Sequence, residues 1–257
     1  MPSKPAAPST VAAPAAWRTV DFISDLHLQA DEPATVAGFA AYLQRTPADA
    51  VFLLGDIFEV WIGDDAAQPG SFEAHCADLL RAASRNRTLF FLHGNRDFLV
   101  GPAYLSDAGV TLLDDPCVLQ WQGRRWLLSH GDALCLDDRD YQRFRQQVRG
   151  QAWQSAFLAR PLEERRAIAR GLRQASEARK TTGPGYADAD PGMSADWLTA
   201  AGADTLIHGH THRPADHRLP DGRSRIVLSD WDLAAVPPRA EVLRIAADGV
   251  ARRIALA

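Results

Sequence analysis

The chain is poor in cysteine and lacks long apolar segments. Its three cysteines, Cys76, Cys117 and Cys135, are widely spaced and form no CxxC pair, which argues against a disulfide framework or a zinc ribbon. A reducing compartment is the natural interpretation of this cysteine usage. No run of about 18 apolar residues is present, so the sequence predicts no bilayer-spanning helix.

An excess of basic charge is also lacking. The formal net charge of -4 and the pI near 6.0 leave no global positive field to hold nucleic acid, which disfavours a general nucleic-acid-binding role. The composition is otherwise ordinary, with 46% hydrophobic and 23% charged residues in a chain of 257. These values predict a folded protein with one large domain, or one domain that carries an insertion.

Composition and periodicity divide the chain into three parts. Residues 1–16 are rich in Pro and Ala and predict a disordered leader. Residues 17–257 predict an α/β domain, because short apolar runs alternate with helix-like stretches at 34–45 and 71–86. Residues 137–185 interrupt this alternation. They are rich in Arg, Gln and Ala, and their apolar residues have helical spacing, which predicts a helical subdomain inserted into the domain.

Five apolar runs, each read as a strand, end in polar residues. The runs are TVDFISDLH, AVFLLGD, TLFFLHGN, RRWLLSHGD and DTLIHGHTH. Ligand sites in α/β sheets form beyond the carboxyl ends of the strands, so these ends are expected to meet. The polar residues that they would bring together are Asp25, His27, Asp56, Asn95, His130, His210 and His212.

This set suits a pair of divalent cations. Two such ions need a bridging carboxylate and neutral imidazoles, so that positive charge remains for a phosphate. Asp25 and His27 stand two apart, where strand alternation would place both side chains on one side. Asp56 is the candidate bridge, beside a glycine that permits close backbone approach, and Asn95 offers an amide oxygen without negative charge.

Each motif alone has a plainer explanation. A lone GD or GN after a strand is more often a turn, and a lone DxH or HxH occurs by chance. The ordered series at five strand ends is what favours a metal site. His208 is expected to pack in the core or to support the ligands, and Asp97 and Asp132 are expected to orient His or Arg neighbours.

The series DxH, GD, GNRD, HGD and GHTH resembles the calcineurin-like metallophosphoesterase superfamily. The resemblance implies an α/β fold in the form of a four-layered α/β/β/α sandwich with a di-metal site. It implies this division of the ligands: Asp25, His27 and His212 for one metal, Asn95, His130 and His210 for the other, and Asp56 for both.

Longer strings narrow the resemblance. ISDLHL, LGDIFEVWIGDD, FLHGNRDFL, SHGDALCLDDRDYQRFR and IHGHTHRP are similar to the UDP-2,3-diacylglucosamine diphosphatases of lipid A biosynthesis. That resemblance implies a hydrolase with two Mn²⁺ per chain. It also implies that the protein is bound peripherally at the cytoplasmic face of the inner membrane. It implies attack of a metal-activated water on the α-phosphorus, with release of UMP and 2,3-diacylglucosamine 1-phosphate (lipid X).

The same resemblance implies roles for individual residues. The catalytic set would be Asp56, Asn95, Arg96 and His210, and the substrate contacts would be Asn95, Arg96, Asp138, Ser176, Arg179, Lys180 and His210. The chain departs from the family pattern after Ser176, because Thr182 or Gly183 falls where a Lys is expected. Either Arg179 or Lys180 is the candidate replacement, and the choice between them stays open.

The role of the insert has two interpretations. Its apolar residues form a lid and a groove for acyl chains, or they simply pack the insert together. Its arginines face an anionic membrane surface, or they lie on a solvated helix face; they are Arg143, Arg145, Arg149, Arg165, Arg166, Arg170 and Arg173.

Two other functions remain as alternatives. One is a metallophosphoesterase for a soluble nucleotide or phosphodiester, and the other is a non-catalytic metal-binding protein. The oligomeric state stays open, a monomer included.

Overall fold

The computed structural model describes residues 8–182 and 187–256, without the side chains of 174–182. These residues form twelve β-strands and seven α-helices. Strands β1 to β12 are Ser9–Ala12, Thr19–Ile23, Ala50–Leu53, Thr88–Leu92, Val110–Leu113, Cys117–Trp121, Arg124–Leu128, Thr205–His208, Ala215–Arg218, Ser224–Val227, Glu241–Ala246 and Ala251–Ala255. Helices α1 to α7 are Pro33–Arg45, Phe72–Ser84, Pro102–Asp107, Arg139–Val148, Gln151–Leu158, Leu162–Thr182 and Pro191–Ala201.

The strands form two six-stranded sheets. Sheet A has the order β1-β6-β7-β8-β10-β9, and sheet B has the order β12-β11-β2-β3-β4-β5. Strands β2, β3 and β4 are parallel neighbours in sheet B, and β7 and β8 are parallel neighbours in sheet A. The five apolar runs predicted as strands are these five strands. Parallel pairing brings the chain that follows each strand to the same edge of its sheet.

The two sheets pack face to face, with helices on both outer faces. Phe22, Phe52 and Phe90 of sheet B point inward and share one buried cluster with Leu119 and Ile207 of sheet A. The opposite face of sheet B packs against α1, α2 and α3, and the opposite face of sheet A packs against α7. These layers confirm the predicted four-layered α/β/β/α sandwich.

Local sequence explains where several helices begin. The Ser71 hydroxyl accepts a hydrogen bond from Ala74 N at 3.1 Å and caps α2. The Asp190 carboxylate accepts one from Met193 N at 2.6 Å and caps α7, whose first residue is Pro191. Gly202 ends α7 in a left-handed conformation that glycine adopts at little cost.

The prediction of a disordered leader over residues 1–16 is wrong for β1. Ser9–Ala12 pairs in parallel with β6, in the register Ser9 to Cys117, and forms an edge of sheet A. Val11 packs against the cluster between the sheets. The Pro/Ala-rich composition hides this strand, because an edge strand needs few apolar side chains and pairs through its backbone.

Helices α4, α5 and α6 lie where the sequence predicts the helical insert at 137–185, up to residue 182. Among its described side chains, Val148 and Phe157 are the buried hydrophobic ones, and the Trp153 ring stacks on Phe157 with centroids 4.9 Å apart. Within the described residues, no helix is both long enough and apolar enough to cross a membrane.

Candidate metal centre

Five of the seven candidate ligands, which lie beyond the strand ends, have a strained backbone conformation. In the described part of the chain, six non-glycine residues have positive φ: Asp25, His27, Asp56, Gln122, His210 and His212. All except Gln122 are predicted ligands. Such conformations cost on the order of 1–3 kcal/mol each and concentrate at functional sites.

The backbone conformation contradicts the predicted strand alternation of Asp25 and His27. Strand β2 ends at Ile23, and Asp25 and His27 have φ values of 55° and 50°. The two side chains therefore do not converge through strand alternation. Two left-handed residues turn the chain instead, while Asp25 N and His27 N donate hydrogen bonds to the carbonyl oxygens of Gly55 and Asp56.

Glycines allow the ligand loops to approach one another. A Cβ at Gly94 would lie 2.1 Å from Asp56 Oδ1, and a Cβ at Gly209 would lie 2.2 Å from Asp25 Oδ2. Both distances are far below a van der Waals contact. The glycines of the GN and GH motifs are thus required for the carboxylates to occupy their positions.

Asp25, His27 and His212 form one group, here named the first half-site. His212 Nε2 lies 3.3 Å from Asp25 Oδ1 and 3.4 Å from His27 Nε2. Asp25 is fully buried and accepts hydrogen bonds from the Ser24 hydroxyl and from His210 N. The three side chains could hold one metal ion.

Asn95, His130 and His210 form the second half-site. Asn95 Oδ1 lies 3.0 Å from His130 Nε2 and 2.8 Å from His210 Nδ1. Asp56 stands between the half-sites, with Oδ1 3.6 Å from His130 Nε2, and its ligand atom lies within 4.8 Å of those of Asp25 and His130. The structure therefore brings all seven predicted ligands together.

Hydrogen bonds show that the donor set fits divalent cations. His130 Nδ1 donates to Leu54 O at 2.9 Å, so Nε2 of a neutral His130 presents a lone pair that faces the oxygen of Asn95. His27 Nδ1 lies 2.7 Å from Glu59 Oε2, so Nε2 of a neutral His27 carries a lone pair, 3.4 Å from His212 Nε2. Facing acceptors at about 3 Å repel unless a cation lies near them.

The electrostatics agree with this fit. Burial and the nearby charge of His130 lower the pKa of His210 to about 3, so this imidazole is neutral, as a ligand must be. Burial lowers the pKa of His130 as well, but the carboxylates of Asp56, Asp25 and Asp132 outweigh it and raise the pKa to about 9. His130 thus attracts a proton in the place that a metal cation would take.

The residues expected to support the ligands divide into two kinds. Asp132 meets the expectation, since its Oδ2 accepts a hydrogen bond from Arg145 Nε at 2.8 Å. Asp97 does not, because it accepts from Ile57 N and Gly94 N and so ties two ligand loops together through the backbone. His208 is fully buried at the end of β8, in agreement with core packing.

The predicted substrate contacts lie in different surroundings. Asn95, Arg96 and His210 lie at the centre, where Arg96 N donates to Asp56 Oδ1 at 2.7 Å. Asp138 caps α4 by accepting from Tyr141 N at 3.0 Å. The side chains of Ser176, Arg179 and Lys180 lie outside the described residues.

The insert's arginines do not act as one cationic face. Four of the seven bind acceptors of the core or of its loops: Arg145, Arg149, Arg165 and Arg173. Arg149 donates to Gly94 O at 2.9 Å, for example, and Arg165 donates to Ile62 O. Neither predicted environment, membrane or solvent, describes these four side chains. Helical spacing alone does not reveal which face of a helix meets buried acceptors.

Glu59 is the clearest residue that the sequence argument missed. It is buried, and it contacts His27, Arg96 and Arg173. Burial raises its pKa, but the His27 hydrogen bond and the charge of Arg96 more than offset this and lower it. A signal existed in the string IFEVW, where one acidic residue interrupts an apolar run.

Comparisons with known proteins agree with this geometry. Residues 18–214 match the family model described as calcineurin-like phosphoesterase. UDP-2,3-diacylglucosamine hydrolase from Chromohalobacter salexigens is 46% identical over 83% of this chain and 89% of its own length. Proteins of the same name from Stenotrophomonas maltophilia and Chromobacterium violaceum are 42% and 46% identical, over 90% and 82% of this chain and 96% and 90% of their own lengths. The chain therefore belongs to the calcineurin-like phosphoesterase family, and within it to the group of relatives named UDP-2,3-diacylglucosamine hydrolase.

Proposed function

We propose that the chain hydrolyses the diphosphate of UDP-2,3-diacylglucosamine to UMP and 2,3-diacylglucosamine 1-phosphate, in lipid A biosynthesis. The observation that carries this proposal is the 42–46% identity, along most of both chains, to relatives named for that substrate. The gathered donor set supports it, because diphosphate hydrolysis needs strong charge neutralisation at phosphorus.

Two Mn²⁺ per chain are the proposed cofactors. The first half-site would hold one ion, the second half-site would hold the other, and Asp56 would contact both. When bound, two divalent cations polarise phosphoryl oxygens and activate water for hydrolysis. Buried Asp25 and Asp56 supply the negative charge, and the neutral amide of Asn95 limits it, so that a diphosphate is still attracted.

Arg96 and His210 are the proposed contacts of the reacting phosphate. Arg96 is held at the centre by its backbone bond to Asp56, and its guanidinium lies 3.6 Å from Glu59 Oε1. A guanidinium so placed would neutralise the phosphate through charge-assisted hydrogen bonds. His210, with its pKa lowered to about 3, would remain neutral beside the α-phosphorus.

The insert is the proposed lid over the acyl chains. Leu158 and Leu172 expose 41% and 42% of their surface, and such apolar side chains suit contact with lipid. Asp138, Ser176 and either Arg179 or Lys180 would contact the polar part of the substrate. A diacylated substrate would place the protein peripherally at the cytoplasmic face of the inner membrane.

The deciding experiment is Mn²⁺-dependent release of UMP from UDP-2,3-diacylglucosamine, beside unacylated UDP-N-acetylglucosamine. Fast release from the acylated compound alone is the expected result. Equal rates on both compounds would instead favour the phosphoesterase for soluble substrates. Mn²⁺ binding without hydrolysis of any phosphoester would favour the non-catalytic alternative.

A further inference from the structure

Glu59 connects the first half-site to the insert. Its Oε2 lies 2.7 Å from His27 Nδ1, and its Oε1 lies 3.1 Å from Nε of Arg173 in α6. Arg173 also donates to Gln29 Oε1 at 3.0 Å, in the loop that follows His27. One buried carboxylate thus touches both a candidate ligand and a helix of the insert.

Asp132 makes the corresponding connection at the second half-site. It is fully buried, two residues after His130, and its Oδ2 accepts hydrogen bonds from Arg145 Nε and from the Tyr141 hydroxyl, both in α4. The Tyr141 ring also stacks on the ring of His210, with centroids 5.9 Å apart and planes inclined by 28°. Helix α4 therefore contacts one candidate ligand directly and is bonded to the loop that carries another.

We propose that the helical insert positions the metal centre, with α6 acting on the first half-site through Glu59 and α4 acting on the second half-site through Asp132. This inference rests on the proposed two-metal function. The residues that make these connections are positioning residues, since they act on the metal centre through its candidate ligands. They are Arg173, Arg145, Glu59, Asp132 and Tyr141.

The physical reason lies in how a histidine ligand is held. A carboxylate that accepts the second N–H of an imidazole fixes the ring's orientation and tautomer and increases its basicity. Arg173 holds the Glu59 carboxylate where it accepts the Nδ1–H of His27. At the second half-site, the Tyr141 ring restricts the rotation of His210, and Arg145 holds the loop of His130 through Asp132.

The coupling must act in both directions. If docking of the insert tightens metal binding, metal binding tightens the docking by the same free energy. Mn²⁺ is therefore expected to slow amide hydrogen exchange in 139–148 and 162–173. The exchange of α7, on the outer face of sheet A, is the internal reference.

The test compares Mn²⁺ titrations of four single variants in the full chain. Arg173→Gln and Arg145→Gln are the anchor variants, because each removes the arginine that joins one helix of the insert to Glu59 or to Asp132. Arg166→Gln and Arg143→Gln are the matched controls on the same helices, because these two arginines pair with exposed acidic neighbours, Glu163 and Asp140.

Each of these two variants is expected to weaken the binding of one Mn²⁺ by up to about 10-fold, the lower end of the range for groups bonded directly to a metal ligand, and to leave the second ion near its original affinity. The EPR signal of the ion pair should change in both anchor variants. The controls should retain the wild-type titration and the wild-type signal.

Unfolding midpoints in EDTA separate positioning from simple loss of stability. Should an anchor variant unfold earlier without metal, Glu59→Gln and Tyr141→Phe repeat the test with smaller changes. Wild-type affinities in every anchor variant, or insert exchange that ignores Mn²⁺, would overturn the inference alone. A wild-type protein that binds no Mn²⁺ would overturn the proposed two-metal function as well.

Discussion

The sandwich and the helical insert are held together by different means. Phe22, Phe39, Phe52 and Phe91 are fully buried in the sandwich, within clusters that run along both faces of sheet B. Among its described side chains the insert fully buries few apolar groups, and it is bound to the sandwich by partly buried apolar contacts together with guanidinium groups on acidic and carbonyl acceptors. Close-packed interiors resist deformation, whereas single polar contacts are weaker and exchange readily with water. The candidate ligands thus come from the rigid region, and the adjustable region lies against them.

The largest effect is expected on the rigid side, at Asp56. Asp56→Asn keeps the side-chain shape and tolerates φ of 52°, so it removes the charge without breaking the loop. The loss in kcat/KM should exceed roughly 100-fold, the upper limit for removing a group that is hydrogen-bonded to a metal ligand. Parallel elemental analysis should show less bound metal. Asp78→Ala, on the exposed face of α2, is the control, and full metal content in Asp56→Asn would contradict the bridging role.

The next effect tests a polar contact that lies inside the sandwich. Arg244 forms two hydrogen bonds, of 2.7 and 2.8 Å, with the fully buried Asp21. Arg244→Met leaves that carboxylate without its cation, which should lower the free energy of unfolding by about 3–5 kcal/mol. Urea denaturation measures this loss. Arg252→Met, in an exposed pair with Asp248, should change it by less than about 0.5 kcal/mol.

A similar pair in the insert should cost less. Arg165 is buried, but its partner Asp65 keeps 57% of its side chain exposed. Water can solvate Asp65 after Arg165→Met, so the main loss is the bond to Ile62 O, about 1–2 kcal/mol. Urea denaturation again gives the value. A loss equal to that of Arg244→Met would erase the difference between the two regions.

The smallest effect on stability is expected at the insert's surface. Leu158→Ala should lower the free energy of unfolding by less than about 1 kcal/mol, because the side chain is 41% exposed. If lipid covers it, KM for the diacylated substrate should rise about fourfold, which corresponds to the ~0.8 kcal/mol of one buried CH₂ group. Steady-state kinetics at fixed Mn²⁺ check this. An unchanged KM would separate Leu158 from the acyl chains.

The sequence could predict the elements in which chemistry and apolar pattern coincide. Five apolar runs identify β2, β3, β4, β7 and β8, and their polar ends identify the seven residues that meet. Most residues of each of these strands are buried, so apolar side chains predominate in them. Strands β9 and β12, ADHR and ARRIA, lie at sheet edges and carry no such signal.

Other features depend on contacts between distant residues and could not be predicted. Arg145 and Arg173 bind buried carboxylates, whereas Arg143 and Arg166 pair with exposed ones. Nothing in the amino-acid sequence of α4 and α6 distinguishes the first pair from the second. Strand β1 depends on its pairing with β6. Strands β2 to β5, all in the other sheet, lie between these two strands in the sequence. The left-handed backbone of five candidate ligands follows from the loops that surround it, not from the residue types alone.

That left-handed backbone has a consequence for protein engineering. A graft of these seven side chains onto the strand ends of another sheet would fail if it copied only residue types and spacing. The recipient would also have to supply turns that hold Asp25, His27, Asp56, His210 and His212 at positive φ. β-branched replacements at those five positions would be excluded by conformation before their chemistry mattered, whereas Asn and Gly would fit. The transferable unit is therefore the loop with its glycines, and the motif letters alone do not define it.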